Sequence, residues 1–364
     1  RQQEQENKFA NMTAVFADDT GLLKAYSLES NKVTGTLGDQ GDGLGIKYLS
    51  YSDIRNHTGA KVVSLSKNGT IREYDLLNDS VVQEVSVKHE SEITGLACIK
   101  NSEADFKVAT CDIKGNLRIS DMAEIEQDAL KFKLPSDQLQ CMKLKHDDFS
   151  ALGLGSRQMP VQLWDIEKQK SIWKGKNVKN DKLDLQVPIF DADLSFCNTN
   201  ASKLITCTAF GQLRLHDTKM EQRRPAIDSL IVENQKFNCI TLTSDDRYAI
   251  FGDNMGYVYK ADMRKNLKLI KKFKDGSGAV KSIAINKHDT TMLACGFDRR
   301  ARIYDLTTNT LTESSYLKQM LTGCLFVESK KKPQNNDESD SEGVEESDMD
   351  SEEESIEVGE NDPE

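Results

Sequence analysis

Residues 176–188 read Lys-Asn-Val-Lys-Asn-Asp-Lys-Leu-Asp-Leu-Gln-Val-Pro, which spaces Lys176, Lys179 and Lys182 three apart and interleaves them with Asn177, Asn180, Asp181 and Asp184. Lysines at this density suit a phosphate backbone or an acidic partner, because binding such a ligand releases its counterions. The Asn and Asp residues suit turns in which a side chain holds nearby backbone, so the segment carries groups for binding and groups for bracing. Arg157, Arg299 and Arg300 are candidate additions to the same surface. Arg223 and Arg224, ahead of Pro225, read as a second contact or as a turn leading into a strand.

No motif assembles a catalytic centre. The histidines at 57, 89, 146, 216 and 288 are scattered, and HExxH, GxSxG and Gly-rich phosphate loops are all missing. Eight cysteines without a CxxC or a Cys/His cluster argue against zinc and against a disulfide framework. The chemistry on offer is recognition, with no cofactor and no metal expected.

The elements that must position these residues are legible in charge and in repetition. The formal charge is -11, but residues 337–364 hold 15 Asp or Glu and no Lys or Arg. The remainder carries 48 basic against 44 acidic residues and is mildly basic. No long apolar run and no secretory leader pattern is found, so an intracellular chain without a membrane span is expected.

One unit recurs seven times: a short apolar strand, a tight turn, then an alternating strand closed by Asp and an apolar residue. The closing positions are Ser27, Asp75, Asp121, Asp165, Asp217, Asp262 and Asp305, at intervals of 48, 46, 44, 52, 45 and 43 residues. That period matches four-stranded WD-repeat blades. Six residues before the closing position stand Gly21, Gly69, Gly115, Gly211 and Gly256, as a tight hairpin requires. Lys24, Arg72, Arg118, Arg214 and Arg302 alternate with apolar positions of the third strand, and Cys111, Cys207 and Cys295 share an equivalent place in the second.

The expected fold is all-β: a seven-bladed WD-repeat β-propeller over residues 1–329 with a disordered acidic C-terminal tail over 330–364. The first blade has three strands of its own, and the surplus strand at 321–327 is expected to complete it from the C-terminus and close the ring as a monomeric propeller.

In the overlong 52-residue interval, Ile172-Trp173-Lys174-Gly175 runs into the 176–188 string, followed by Leu204-Ile205-Thr206-Cys207-Thr208 and Gln222-Arg223-Arg224-Pro225. This region resembles the nucleolar WD-repeat ribosome-assembly factors, the Nop-seven-associated family of yeast and its animal WD-repeat counterpart. The resemblance runs from about residue 161 to 327, includes Ala294-Cys295-Gly296-Phe297-Asp298-Arg299, and touches Thr20-Gly21-Leu22-Leu23-Lys24. Phe190 stands where the family usually has Trp, and Arg300 replaces an apolar or aromatic residue.

The resemblance implies a non-enzymatic scaffold in the nucleus and nucleolus, binding assembly factors and pre-rRNA on early precursors of the large ribosomal subunit and assisting rRNA processing. It also implies an AAA-type ATPase and an exosome-associated RNA helicase as partners.

In such a ring the exits of the outermost strands and the hairpins between second and third strands share one face. That places the 176–188 loop beside the tips with Lys67, Lys114, Arg157, Arg299 and Arg300, and Arg223 and Arg224 on the opposite face. In the tail, Ser339, Ser341, Ser347, Ser351 and Ser355 lie among carboxylates, a setting suited to acid-directed kinases. Phosphorylation there would sharpen competition between the tail and RNA for the basic face. A rival reading is a cullin-ligase substrate receptor, since Asp262-Met263-Arg264 has the D-x-R form of an adaptor-docking blade end, with Ala261 where that motif wants Trp.

Overall fold

Seven four-stranded antiparallel sheets account for every strand of the computed structural model, which describes residues 12–52, 61–100, 106–122, 130–136, 138–145, 151–180, 182–221 and 230–328. The innermost strands are Leu321–Glu328 in blade 1, then Ile46–Tyr51, Ile93–Lys100, Leu139–Leu144, Asp191–Phe196, Phe237–Leu242 and Val280–Ile285 in blades 2 to 7. Each packs against the innermost strand of the next blade, and the seventh packs against the first. The result is a closed seven-bladed propeller. Its closure is antiparallel pairing of Leu321–Glu328 with Met12–Asp18, for example Val15 opposite Leu325.

The core is divided into seven apolar clusters, one in each seam between neighbouring blades. Strands such as Thr291–Gly296 are covered on both faces and read as unbroken apolar runs, while outermost strands such as Ser80–Ser86 are largely exposed. Cys111, Cys207 and Cys295 are buried in second strands, and burial pushes their thiols up in pKa. They serve as small apolar residues.

The repeated Asp is a turn cap. Asp305 accepts the N–H groups of Thr307 and Thr308 at 2.7 and 3.2 Å, Asp75 those of Leu77 and Asn78 at 2.9 and 3.3 Å, and Ser27 that of Ser30 at 3.2 Å. The repeated Gly turns the opposite hairpin. At Gly69, φ is +90° and an added Cβ would lie 2.1 Å from the Val87 carbonyl oxygen, so only glycine fits without rearrangement. Blade 7 has Arg299 there instead, held at φ 65°.

The chain divides into two units, Arg1–Lys330 and Lys331–Glu364, and all described residues belong to the first. The expected disorder of the tail and its five serines fall outside the described residues, as do Asp181, Arg223 and Arg224.

Candidate binding face

A hydrogen bond repeated in all seven blades fixes which loops share a face. The first residue after each second strand donates its N–H to the carbonyl just before the innermost strand of the same blade. The pairs are Asp19 to Met320, Lys67 to Gly45, Ile113 to Glu92, Arg157 to Gln138, Ala209 to Phe190, Asn254 to Lys236 and Phe297 to Ala279, at 2.8–3.1 Å. The hairpin tips with Lys67, Lys114, Arg157, Arg299 and Arg300 therefore lie on the face crossed by the 176–188 connection.

The cations that alternate through the third strands lie elsewhere. Lys24, Arg72, Arg214 and Arg302 are buried in the seams, where each grips the connection arriving from the preceding blade. Lys24 Nζ donates to the Leu317 carbonyl at 2.7 Å and Gln319 Oε1 at 2.6 Å. Arg72 reaches Asp39 at 3.3 Å, and Arg302 pairs with Asp298 and donates to the Asp275 carbonyl at 3.0 Å. Their charges hold chain and are not available to a ligand.

The 176–188 connection is held in the same way. Arg214, between blades 4 and 5, donates to Asn177 Oδ1 at 3.1 Å and to the Pro188 carbonyl at 3.4 Å, while Gln212 Oε1 orients its guanidinium at 2.7 and 3.0 Å. Asn177 Nδ2 donates to the Val187 carbonyl at 2.6 Å, tying the two ends of the loop, and Asn177 Oδ1 accepts the Val178 N–H at 2.9 Å. Asn180 Nδ2 donates to the Asp184 carbonyl at 3.1 Å and to its Oδ1 at 2.9 Å, with Asp184 at φ 58°. Asn177, Asn180 and Asp184 thus brace the loop, whereas Lys176, Lys179 and Lys182 are exposed. Between them rise Leu183, 78% exposed, and Leu185, 60% exposed.

Beneath the loop, burial pushes the Asp191 carboxyl up to about 6 against the pull of the Arg214 charge. Burial drives His216 down to about 3, helped by the same guanidinium. His216 packs edge-on against Trp173, with ring centroids 5.9 Å apart, as a neutral core residue. His89 is also structural, with Nε2 2.9 Å from Thr110 Oγ1.

This face surrounds the mouth of a central channel of about 1470 Å³. The tips of blades 2, 3 and 4 present Lys67, Lys114 and Arg157, all exposed and without a carboxylate partner among the described residues. Blades 5, 6 and 7 present Phe210, Met255 and Phe297, 45%, 53% and 43% exposed. Arg157 lies 5.5 Å from the Phe190 ring centre, and Phe190 meets Phe210 edge-on at 6.3 Å. Just inside the mouth, the second residue of each innermost strand is the extra residue of a β-bulge: Thr322, Lys47, Thr94, Gln140, Ala192, Asn238 and Lys281. All seven line the channel, and none is acidic. Burial and the charge of Lys47 hold the Lys281 ammonium below its usual pKa, although Lys281 still meets channel solvent.

Over 175 residues, 48% of this chain and 44% of the relative, the sequence is 31% identical to WD repeat-containing protein 74 of Bos taurus. Over 185 residues, 45% of this chain and 46% of the relative, it is 31% identical to ribosome biogenesis protein NSA1 of Meyerozyma guilliermondii. Over about half its length the chain is therefore similar to the WD-repeat proteins named NSA1 and WD repeat-containing protein 74. The similarity reaches 87% of both chains, at 23% identity, with ribosome biogenesis protein NSA1 of Yarrowia lipolytica. The chain spans about half the length of the first two relatives it matches. No protein-family model matches it. Among solved structures, the computationally designed Ika8 protein aligns over 85% of this chain and 86% of its own with a TM-score of 0.59 and 16% identity, a likeness of fold alone.

Within this propeller, the structure brings Arg157 beside the inner end of the loop, through an isolated bridge to Phe190. Arg299 and Arg300 sit on the same face but in blade 7, with Arg300 donating to Ser314 at 3.4 Å. Sequence reasoning did not single out Phe210, Met255, Phe297, Leu183 or Leu185. The available signal was an apolar residue immediately before the turn glycine, as in Phe210-Gly211 and Met255-Gly256. No observation favours the cullin-receptor alternative: Ala261 and Met263 are buried, and the Arg264 guanidinium folds back on Asp262 at 3.0 Å.

Proposed function

We propose that this propeller is a non-catalytic scaffold in biogenesis of the large ribosomal subunit. It binds assembly factors and pre-rRNA on early nucleolar precursors through the face that carries the 176–188 loop. The observation that carries this reading is the braced loop: Asn177, Asn180 and Asp184 are spent on holding it rigid, which leaves Lys176, Lys179, Lys182, Leu183 and Leu185 presented outward. A rigid scaffold with presented loop side chains loses little freedom on binding and gains affinity from that. The names of the relatives supply the process.

The reading extends to residence in the nucleus and nucleolus, and to an AAA-type ATPase and an exosome-associated RNA helicase acting on the same particles. Affinity purification of the full chain tests it. Recovery of large-subunit precursor proteins is expected, and recovery of a cullin adaptor without them would overturn it.

A further inference from the structure

The tips around the channel mouth are sorted by chemistry. Three consecutive blades offer cations, Lys67, Lys114 and Arg157, and the next three offer apolar groups, Phe210, Met255 and Phe297, with Arg299 and Arg300 beside the last of them in blade 7. The 176–188 loop lies at the junction of the two arcs, between blades 4 and 5. Three carboxylates on this face are paired with frame cations, Asp39 with Arg72, Glu92 with Lys47 and Asp298 with Arg302, while Asp42, Glu90 and Glu233 are exposed on the same connections. The ring just inside the mouth adds amide, hydroxyl and ammonium groups from Gln140, Asn238, Thr94 and Lys281 and no acid.

We infer that this mouth is a binding site for single-stranded RNA, with phosphates along the basic arc and unstacked bases against Phe210 and Phe297. It rests on the reading of this face as the contact with ribosome precursors, and it adds the ligand and its mode. Single-stranded nucleic acid supplies an anion on one edge and a flat apolar face on the other at every residue, which matches two continuous arcs without requiring a particular sequence. An acidic peptide would need a run of carboxylates confined to one edge and apolar groups confined to the other. Phe210 and Phe297 expose ring surface, and cations already lie near their neighbourhood: Arg157 over Phe190, and Lys281 4.6 Å from the centre of Phe297. The bulge residues of the inner ring project hydrogen-bonding groups where base edges would enter.

Fluorescence anisotropy of the full chain with a labelled oligouridylate of about ten nucleotides tests the inference, each variant being checked by circular dichroism for an intact fold. Phe210→Ala and Phe297→Ala are each expected to weaken binding about tenfold. Lys281→Gln is expected to lower the slope of log affinity against log salt by about 0.7. Lys287→Gln, on the opposite face, is expected to change neither quantity.

RNA binding that ignores Phe210, Phe297 and Lys281 would overturn the site. So would failure to bind RNA at low salt, and capture of an acidic, Phe-containing peptide in its place would assign the mouth to a protein. Co-sedimentation with ribosome precursors separates the two levels of the reading. A chain that co-sediments but binds no RNA sinks this inference alone, and a chain that does neither sinks the proposed function as well.

Discussion

Replacing Asn177 with alanine removes at least three hydrogen bonds: Nδ2 to the Val187 carbonyl at 2.6 Å, and Oδ1 from the Val178 N–H and the Arg214 guanidinium at 2.9 and 3.1 Å. Neutral bonds contribute about 1 kcal/mol each and one from a charged group about 1.5–3 kcal/mol, so the loop loses about 4 kcal/mol of bracing. The loss falls on local opening, because the Trp173, Leu194 and Phe196 cluster beneath the loop is untouched. Four kcal/mol corresponds to about a thousandfold in the opening equilibrium.

Native-state hydrogen exchange should therefore show protection at Val178, and at Gln158, whose N–H bonds the Ile189 carbonyl at 3.0 Å, falling by about two to three powers of ten. Protection in the second strand of blade 6, Tyr248–Asp253, should not change. Equal exchange at Val178 and Gln158 in the parent and the variant would refute the claim that Asn177 holds the loop.

Asp191→Asn tests the buried carboxyl at the foot of the loop. Its native pKa of about 6 lies above the unfolded value of about 3.9, so the native state holds the proton more tightly. The stability it supplies is complete below about pH 4 and is lost as pH rises to about 6, about 3 kcal/mol in all. In urea melts the variant should gain about that much relative to the parent between pH 4 and 7. A difference that does not change with pH would contradict the burial.

Gly69→Ala should destabilise the fold by about 2 kcal/mol or more, since the added Cβ meets backbone at positive φ; an unchanged urea midpoint would argue against that geometry. Arg299→Gly should raise stability by about 1 kcal/mol, by relieving a left-handed arginine, while weakening anion binding at the tip. A variant with weaker stability would show that the conformation carries no strain.

The turns were legible from sequence because their geometry is local. Asp305 caps a hairpin two residues away, and Gly69 has to meet Val87 whatever lies beyond, so both recur at fixed spacing. The closing strand was legible because blade 1 lacked one of its four.

The buried cations were not legible. Arg214 alternates with apolar neighbours as a solvent-facing residue would, and only the packing of blade 4 against blade 5 brings Asn177 over it, 37 positions away. For the same reason the loop's basic and amide residues could be read as binders or as braces, and the fold divides them: the lysines are exposed and the asparagines are tied to the loop's own backbone. The arcs of the mouth are likewise a product of ring closure, since Lys67 and Phe297 are distant in the chain and share a face only through the repeated hydrogen bond of each tip.

The most direct test of the loop as the principal contact is the combined charge reversal Lys176→Glu, Lys179→Glu and Lys182→Glu, followed by sedimentation with large-subunit ribosome precursors. All three side chains are exposed and take no part in the bracing, so the variant should fold with the stability of the parent. It should shift from the precursor fractions to the top of the gradient. Undiminished co-sedimentation of a folded triple variant would contradict the assignment of this loop.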